Sequence, residues 1–418
     1  MTESMGEQQP IKRASYAELA RLFLRMSVLA FGGPMAHIAM GEDEIVTRRG
    51  WLTRQHFLDL IAATNLIPGP NSTEVIIHVG YVMRGIPGAI LAGLCFILPA
   101  FAITLVLTGL YVSTGTIPQV EAIFWGIKPV IVAIIAVAGV RLMPSALKNR
   151  PLQVVYGLCI AALIVFDLPE LFVLLVAGIS YALFKRFGGG VFTFSLVGAW
   201  QTAAVTFNEL RVTFMPSLQM WTGILQTAVI PAVVVTAGDL FWYFLRIGSI
   251  LFGSGYLLIA YIQQDLVNTY GWLSAQQVLD LVAIGQFTPG PLLTTAGAVG
   301  YVLAGVPGAI AALVGVFLPA FVFVILSAPL IPRMRRSIFL SAFLDGVNAA
   351  VLAAILLTII DLGLVALIPL AEGVEAVAPI SFVSLIVALV AFVAIYRFKI
   401  NATWLIVLGG AVGFVMGL

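Results

Sequence analysis

The sequence predicts an all-α polytopic membrane protein of about 13 transmembrane spans. Two inverted-topology repeats of six are joined by a linking helix, and helices are broken at Pro-Gly-Pro. Three observations predict this fold. The 418 residues are 61% hydrophobic and only 10% charged, with mean hydropathy +1.09. Many apolar runs approach or exceed the roughly 18 residues that cross a bilayer. The chain also repeats itself, and its loop charges reverse sense between the repeats.

The repeat rests on three ordered matches. "FLRMSVLAFGGP" (23–34) returns as "FLRIGSILFGSG" (244–255). "GWLTRQHFLDLIAATNLIPGP" (50–70) returns as "GWLSAQQVLDLVAIGQFTPGP" (271–291). "GIPGAILAGLCFILPAF" (85–101) returns as "GVPGAIAALVGVFLPAF" (305–321). Phe31 and Phe252 stand 221 residues apart and Gly85 and Gly305 stand 220 apart, so one residue is lost just after Pro-Gly-Pro.

The elements follow in order. Residues 1–18 form a polar tail without an apolar signal region, expected in the cytoplasm. The first repeat, 19–186, has expected spans at 19–41, 57–83, 86–112, 121–143, 152–168 and 169–185. Residues 187–238 make a linker and an extra helix over 219–236. The second repeat, 239–418, has expected spans at 240–262, 276–303, 306–331, 338–361, 379–396 and 400–418.

An odd linking helix turns the second copy upside down. Lys12, Arg13, Arg84, Arg141, Lys148, Arg150, Lys185 and Arg186 mark one side in the first copy. Arg333, Arg335, Arg336, Arg397 and Lys399 occupy the opposite loops of the second. Cytoplasmic loops favour Lys and Arg, so the N-terminus is expected inside and the C-terminus outside a plasma (inner) membrane. Arg48, Arg49 and Arg54 are the exception, because straight spans leave them outside.

Inverted repeats with broken helices are a plan of secondary transporters, whose sites lie near the midplane. Pro68 and Pro70 each lack a backbone donor, and Gly69 permits unusual dihedrals. The helix restarts at "NSTE", where Asn71 and Glu74 fit a capping-box pattern. A fresh N-terminus attracts anions. Pro289, Gly290 and Pro291 repeat the break. Asn65 and Gln286 precede the two breaks, and Ser72, Thr73, Thr294 and Thr295 follow them. Amides and hydroxyls suit a tetrahedral oxyanion, although hydroxyls also bond their own helix backbone.

A second paired break contains Gly32 and Gly33 in one copy and Gly253 and Ser254 in the other. Arg25 and Arg246 precede it, as oxyanion forks or as side chains snorkelling to the interface. Lys128, deep in the fourth span, either attracts an anion or pairs with a carboxylate. Asp59 and Asp280 match across copies at the start of the broken helix, as caps or Arg partners in preference to a proton relay. Cys95 and Cys159, and His37, His56 and His78, show no metal-ligand spacing, so neither metal nor cofactor is expected. A net charge of +2 gives no reason to expect nucleic acid.

The ordered set "FGG"/"FGS", "GWL…D", "PGP" and "GxPGAI…LPAF" closely resembles the chromate ion transporter family in its long, two-domain form. The resemblance covers nearly the whole chain apart from tail, linker and extra helix. It implies an inner-membrane protein exporting chromate, a tetrahedral oxyanion, with sulfate or another small anion as the alternative. It leaves a homodimer open. Alternating access between the repeats, driven by the membrane potential, is the expected mechanism, with proton coupling left open. An intramembrane enzyme would need a convergent set of reactive side chains that this chain lacks. Pro34 becomes Gly255, and Asn71–Ser72 become Leu292–Leu293, so the first half-site is expected to be the more polar.

Overall fold

A computed structural model describes residues 14–31, 33–114, 117–166, 168–187, 235–252, 255–329, 337–367 and 381–416. The expected linking helix over 219–236 lies almost wholly outside the described residues, as do Gly32, Gly253, Ser254 and the arginines at 333, 335 and 336. The described residues form helices and no strand. Four of the helical stretches, Asn71–Thr114, Pro118–Ala146, Leu292–Ser327 and Ile338–Leu367, are long and apolar enough to cross a bilayer, as a multi-pass membrane protein requires.

The first copy runs α1 (Tyr16–Leu29), α2 (Gly33–Gly41) continuing as a π-helix (Glu42–Arg48), α3 (Arg54–Thr64), α4 (Asn71–Thr114), α5 (Pro118–Ala146), α6 (Arg150–Val165) and α7 (Glu170–Phe187). The second runs α8 (Ala237–Ile250), α9 (Leu257–Tyr261) continuing as a π-helix (Ile262–Thr269), α10 (Ala275–Phe287), α11 (Thr295–Ser327), α12 (Ile338–Leu367), α13 (Phe382–Arg397) and α14 (Ala402–Met416). Both copies open on a capping box, Ser15 with Glu18 and Thr236 with Asp239, which satisfies the first N–H groups of the helix.

The segments expected to cross straight at 19–41 and 57–83 turn back instead. Arg25 lies 3.8 Å from Glu44, and His37 Nε2 lies 3.2 Å from the Ala30 carbonyl oxygen. A continuous helix would hold residues 25 and 44 about 28 Å apart. So α1 and α2 form a hairpin with its tip at the FGGP break. In the second copy the Tyr243 hydroxyl donates to the Tyr261 carbonyl at 3.1 Å, which closes α8 and α9 the same way. Arg54 pairs with Glu42 at 3.0 Å, so α3 starts beside the π-helix. Arg84 donates to the Ala14 carbonyl at 2.6 Å, so the first arm of α4 ends where α1 begins. The segment 54–84 therefore also returns to its starting side, with Pro-Gly-Pro at its tip. Proline and glycine make the reversal affordable to the backbone, which hydropathy alone does not register.

The 44 residues of α4 are likewise two arms, reversed at Arg84 and Gly85 (φ 63°). α11 reverses at Ala304 and Gly305, also at φ 63°. The arms touch closely: a Cβ on Gly80 would meet Ala92 Cβ at 2.7 Å, and one on Gly300 would meet Ala309 N at 2.9 Å. Small residues let helix backbones approach this way in lipid.

The copies then grip each other reciprocally. Gly126 of α5 packs on Gly409 and Gly413 of α14, while Gly346 of α12 packs on Ala177 and Gly178 of α7. Phe101 rests on Gly297 and Phe321 rests on Gly93. Each exchange has its counterpart, as in an isologous interface.

Candidate functional site

Each Pro-Gly-Pro break docks on the other copy. The Gly69 N–H donates to the Leu251 carbonyl at 2.6 Å, and the Gly290 N–H donates to the Ala30 carbonyl at 3.1 Å. Leu251 and Ala30 are equivalent positions, each just before the other break. The tip of one hairpin thus docks on the broken first helix of the other copy. Each bond satisfies a carbonyl that the interrupted helix leaves without a partner.

Polar side chains gather here, and several are buried with no partner. Among the described residues these include Ser27 Oγ, Asn71 Oδ1, Thr73 Oγ1, both Glu74 carboxylate oxygens, both His78 nitrogens and Gln286 Nε2. Such a cluster is costly in an apolar interior unless something else bonds to it. Asn71 Nδ2 spans the first break to Asn65 Oδ1 at 2.6 Å. The Ser72 hydroxyl meets His37 Nδ1 at 3.3 Å. The capping box expected from Asn71 and Glu74 does not form, because Asn71 turns to Asn65 and the Glu74 carboxylate bonds nothing.

The second break is drier. Thr294 Oγ1 donates to the Pro291 carbonyl at 3.0 Å and Thr295 Oγ1 to the Leu292 carbonyl at 2.8 Å. Thr104 Oγ1 lies 3.2 Å from Thr294 Oγ1 and links the α4 return arm to this turn. Leu292 and Leu293 are buried where the first copy has Asn71 and Ser72. Gln286 accompanies Tyr256, and the Tyr256 hydroxyl lies 3.8 Å from the position of a Cβ on Gly33.

Pro68, Pro70, Asn71, Ser72 and Thr73 flank the first break, Pro289, Pro291, Thr294 and Thr295 flank the second, and Asn65 is exposed. The structure sets Gly69 against Leu251, Gly290 against Ala30 and Ser27, and Gly33 against Tyr256 beside Gln286. It holds the three basic candidates elsewhere. Arg25 and Arg246 sit on equivalent flanks, paired with Glu44 at 3.8 Å and with Asp265 at 2.5 Å, and their side chains are 59% and 49% exposed. Lys128 is 3.2 Å from Asp280, which also accepts from the Tyr111 hydroxyl at 3.0 Å. That pairing of Lys128 with a carboxylate is one of the two readings the sequence leaves open. Sequence reasoning missed Ser27, Glu74 and His78 as site groups. Ser27 had no visible signal, whereas Glu74 and His78 are an i, i+4 pair directly after the break. A neighbouring cavity of about 530 Å³, lined by Tyr111, Phe124, Ile284 and Phe414 among others, is almost wholly apolar and offers an oxyanion few donors.

Comparison with known proteins agrees with the two-copy sequence. The family described as chromate transporter matches residues 17–182 and 238–414. A chromate transport protein of Pseudomonas aeruginosa is 34% identical over 356 residues, covering 83% of this chain and 81% of its own. A chromate transport protein of Cupriavidus metallidurans is 29% identical over 360 residues, covering 85% and 84%. An uncharacterised transporter of Methanocaldococcus jannaschii is 27% identical over 318 residues, covering 75% and 76%. No solved structure matches. With the family's profile falling on both halves and a relative above 30% identity aligned over most of each chain, this protein belongs to the chromate transporter family.

Proposed function

We propose that the protein exports chromate from the cytoplasm by alternating access between its two repeats, with the oxyanion held at the docked Pro-Gly-Pro breaks. The observation that carries this reading is the cluster of buried, unpartnered polar groups at two reciprocally docked helix breaks. Ser27, Thr73 and Gln286 supply donors, and the new helix at Asn71 supplies a positive end. A dianion leaving a negative interior gains about 4.6 kcal/mol at 100 mV, at about 2.3 per charge. A dianion that crosses unaccompanied would thereby sustain a gradient of roughly three decades, and each proton carried with it lowers that figure. Sulfate, a tetrahedral dianion of similar size, is the competing substrate.

The test is chromate uptake into everted membrane vesicles, with sulfate as competitor. Asn71→Leu removes the amide that bridges the break. Uptake should require an imposed potential and fall at least tenfold in the variant at equal protein level. Normal transport by Asn71→Leu would move the site away from the first break.

The hairpins also suggest an orientation. If 16–84 enters and leaves on one side, Arg48, Arg49, Arg54 and Arg84 join the N-terminus in the cytoplasm. The charge exception then vanishes. The equivalent residues Thr269, Tyr270, Ala275 and Ala304 carry no charge, as an external mouth requires in an inverted second copy. This reading has four re-entrant hairpins and nine crossings, counting the linking helix, with the C-terminus still outside. It predicts that cysteine at Arg54 is labelled only from the cytoplasm, and cysteines at Ser113 and Tyr270 only from outside, once Cys95 and Cys159 are replaced. External labelling at position 54 would restore straight crossings.

A further inference from the structure

We propose that Glu74, with His78 one turn beyond it, is a proton-binding site that loads together with the oxyanion, so that one proton travels with each dianion. The inference rests on the oxyanion reading above and adds its coupling ion. Glu74 is fully buried and His78 is 1% exposed. All four of their polar side-chain atoms lack a partner. The Glu74 carboxylate is aimed into the break, where it would collide with any Cβ on Gly69. It is not a helix cap, since it accepts no bond. Its charge nonetheless lies against Gly69, at the helix start that an oxyanion would use.

The surrounding elements give it no counter-charge. α2 brings His37, held by Ser72 and the Ala30 carbonyl. α1 brings Arg25, paired at Glu44, with Glu18 capping its own helix and Arg21 a turn before Arg25. α3 brings Arg54, paired with Glu42, and His56 and Asp59 near its start. α10 brings Asp280, paired with Lys128. α11 carries no acidic, basic or histidine side chain, only Tyr301. α4 itself adds Arg84, bound to the Ala14 carbonyl.

A dianion and a carboxylate sharing one N-terminus repel, and a proton on Glu74 removes that repulsion and provides a donor. Binding the oxyanion thus takes up a proton. His78, on the same helix face at i+4, offers the next acceptor along the arm. The second break lacks such a pair: Thr294 and Thr295 are bonded to backbone carbonyls there. Among the described residues, only the first break carries a carboxylate, so one proton accompanies each cycle and the translocated charge drops from two to one.

The experiment uses the full chain reconstituted in vesicles, with radiolabelled chromate flux and current recorded together. The parent should move one charge per chromate and take up one proton per chromate from weakly buffered solution. Glu74→Gln should move two charges per chromate and take up none. Its chromate affinity should lose a tenfold-per-pH-unit dependence relative to the parent, chromate's own titration being common to both. His78→Asn should keep one charge but slow turnover several-fold. Two charges per chromate in the parent, or an unchanged pH profile in Glu74→Gln, overturns the proposal while leaving chromate transport intact. The parent measurement alone decides it if Glu74→Gln fails to fold. A parent that moves no chromate overturns the functional reading itself, and this inference with it.

Discussion

Gly69→Ala and Gly290→Ala should each abolish chromate transport and lower the melting temperature of the detergent-solubilised protein. Gly69 has φ 148° and Gly290 has φ 91°, a region that side-chain-bearing residues rarely occupy. Strain of this kind costs about 1–3 kcal/mol at each position. Space is lacking as well. A methyl at 69 runs into the Glu74 carboxylate, and one at 290 meets Ala100 Cβ at 2.6 Å and the Ser27 carbonyl oxygen at 3.3 Å. At 290 the clash is with the opposite copy and lengthens the Gly290–Ala30 hydrogen bond, whereas at 69 the methyl displaces the Glu74 side chain of its own copy and the cost is chiefly backbone strain. Each bond lost from an apolar interior adds about 1 kcal/mol or more. Gly290→Ala should be the more destabilising in thermal melts, because its methyl meets Cβ and backbone atoms that cannot swing aside. Retained transport in both would show that tip docking is not needed for the cycle.

Lys128→Met should destabilise the protein by about 3 kcal/mol or more, because removing one partner of a buried ion pair strands the other. The pair is nearly dry, with side chains of Lys128 and Asp280 15% and 9% exposed. Tyr111 still donates to Asp280 in the variant but cannot neutralise it. Adding Asp280→Asn to Lys128→Met should restore most of the loss, since two neutral groups carry a far smaller desolvation cost. Thermal melts of the two single variants and the double variant give the coupling energy directly. An additive double variant would mean that Lys128 acts independently of Asp280, and its role as an anion attractor would return.

How much of this was legible beforehand varies element by element. The repeated FGGP/FGSG and Pro-Gly-Pro segments were plain, and so was the first break's greater polarity, Asn71–Ser72 against Leu292–Leu293. The direction of the chain through those breaks was not. A window of apolar residues over 19–41 or 57–83 has the same hydropathy whether the helix crosses or folds back. The Arg48, Arg49 and Arg54 exception is a misfit in the charge pattern that the proposed re-entrant orientation removes. Arg25 and Arg246 looked like oxyanion ligands because they stand beside the breaks in sequence. Their acidic partners, Glu44 and Asp265, are 19 residues away and become neighbours only when the helices reverse.

The sequence by itself determined the membrane class, the duplication, the positions of the breaks and the family. Those depend on composition and on local backbone rules, which each short stretch obeys independently of the rest. Tertiary structure decided which break faces which, which polar atoms remain without partners, and which charges are already neutralised. Gly69 reaches Leu251 and Gly290 reaches Ala30 across about 180 and 260 residues of chain. Such pairings arise from the packing of two copies against each other, and no local pattern encodes the partner.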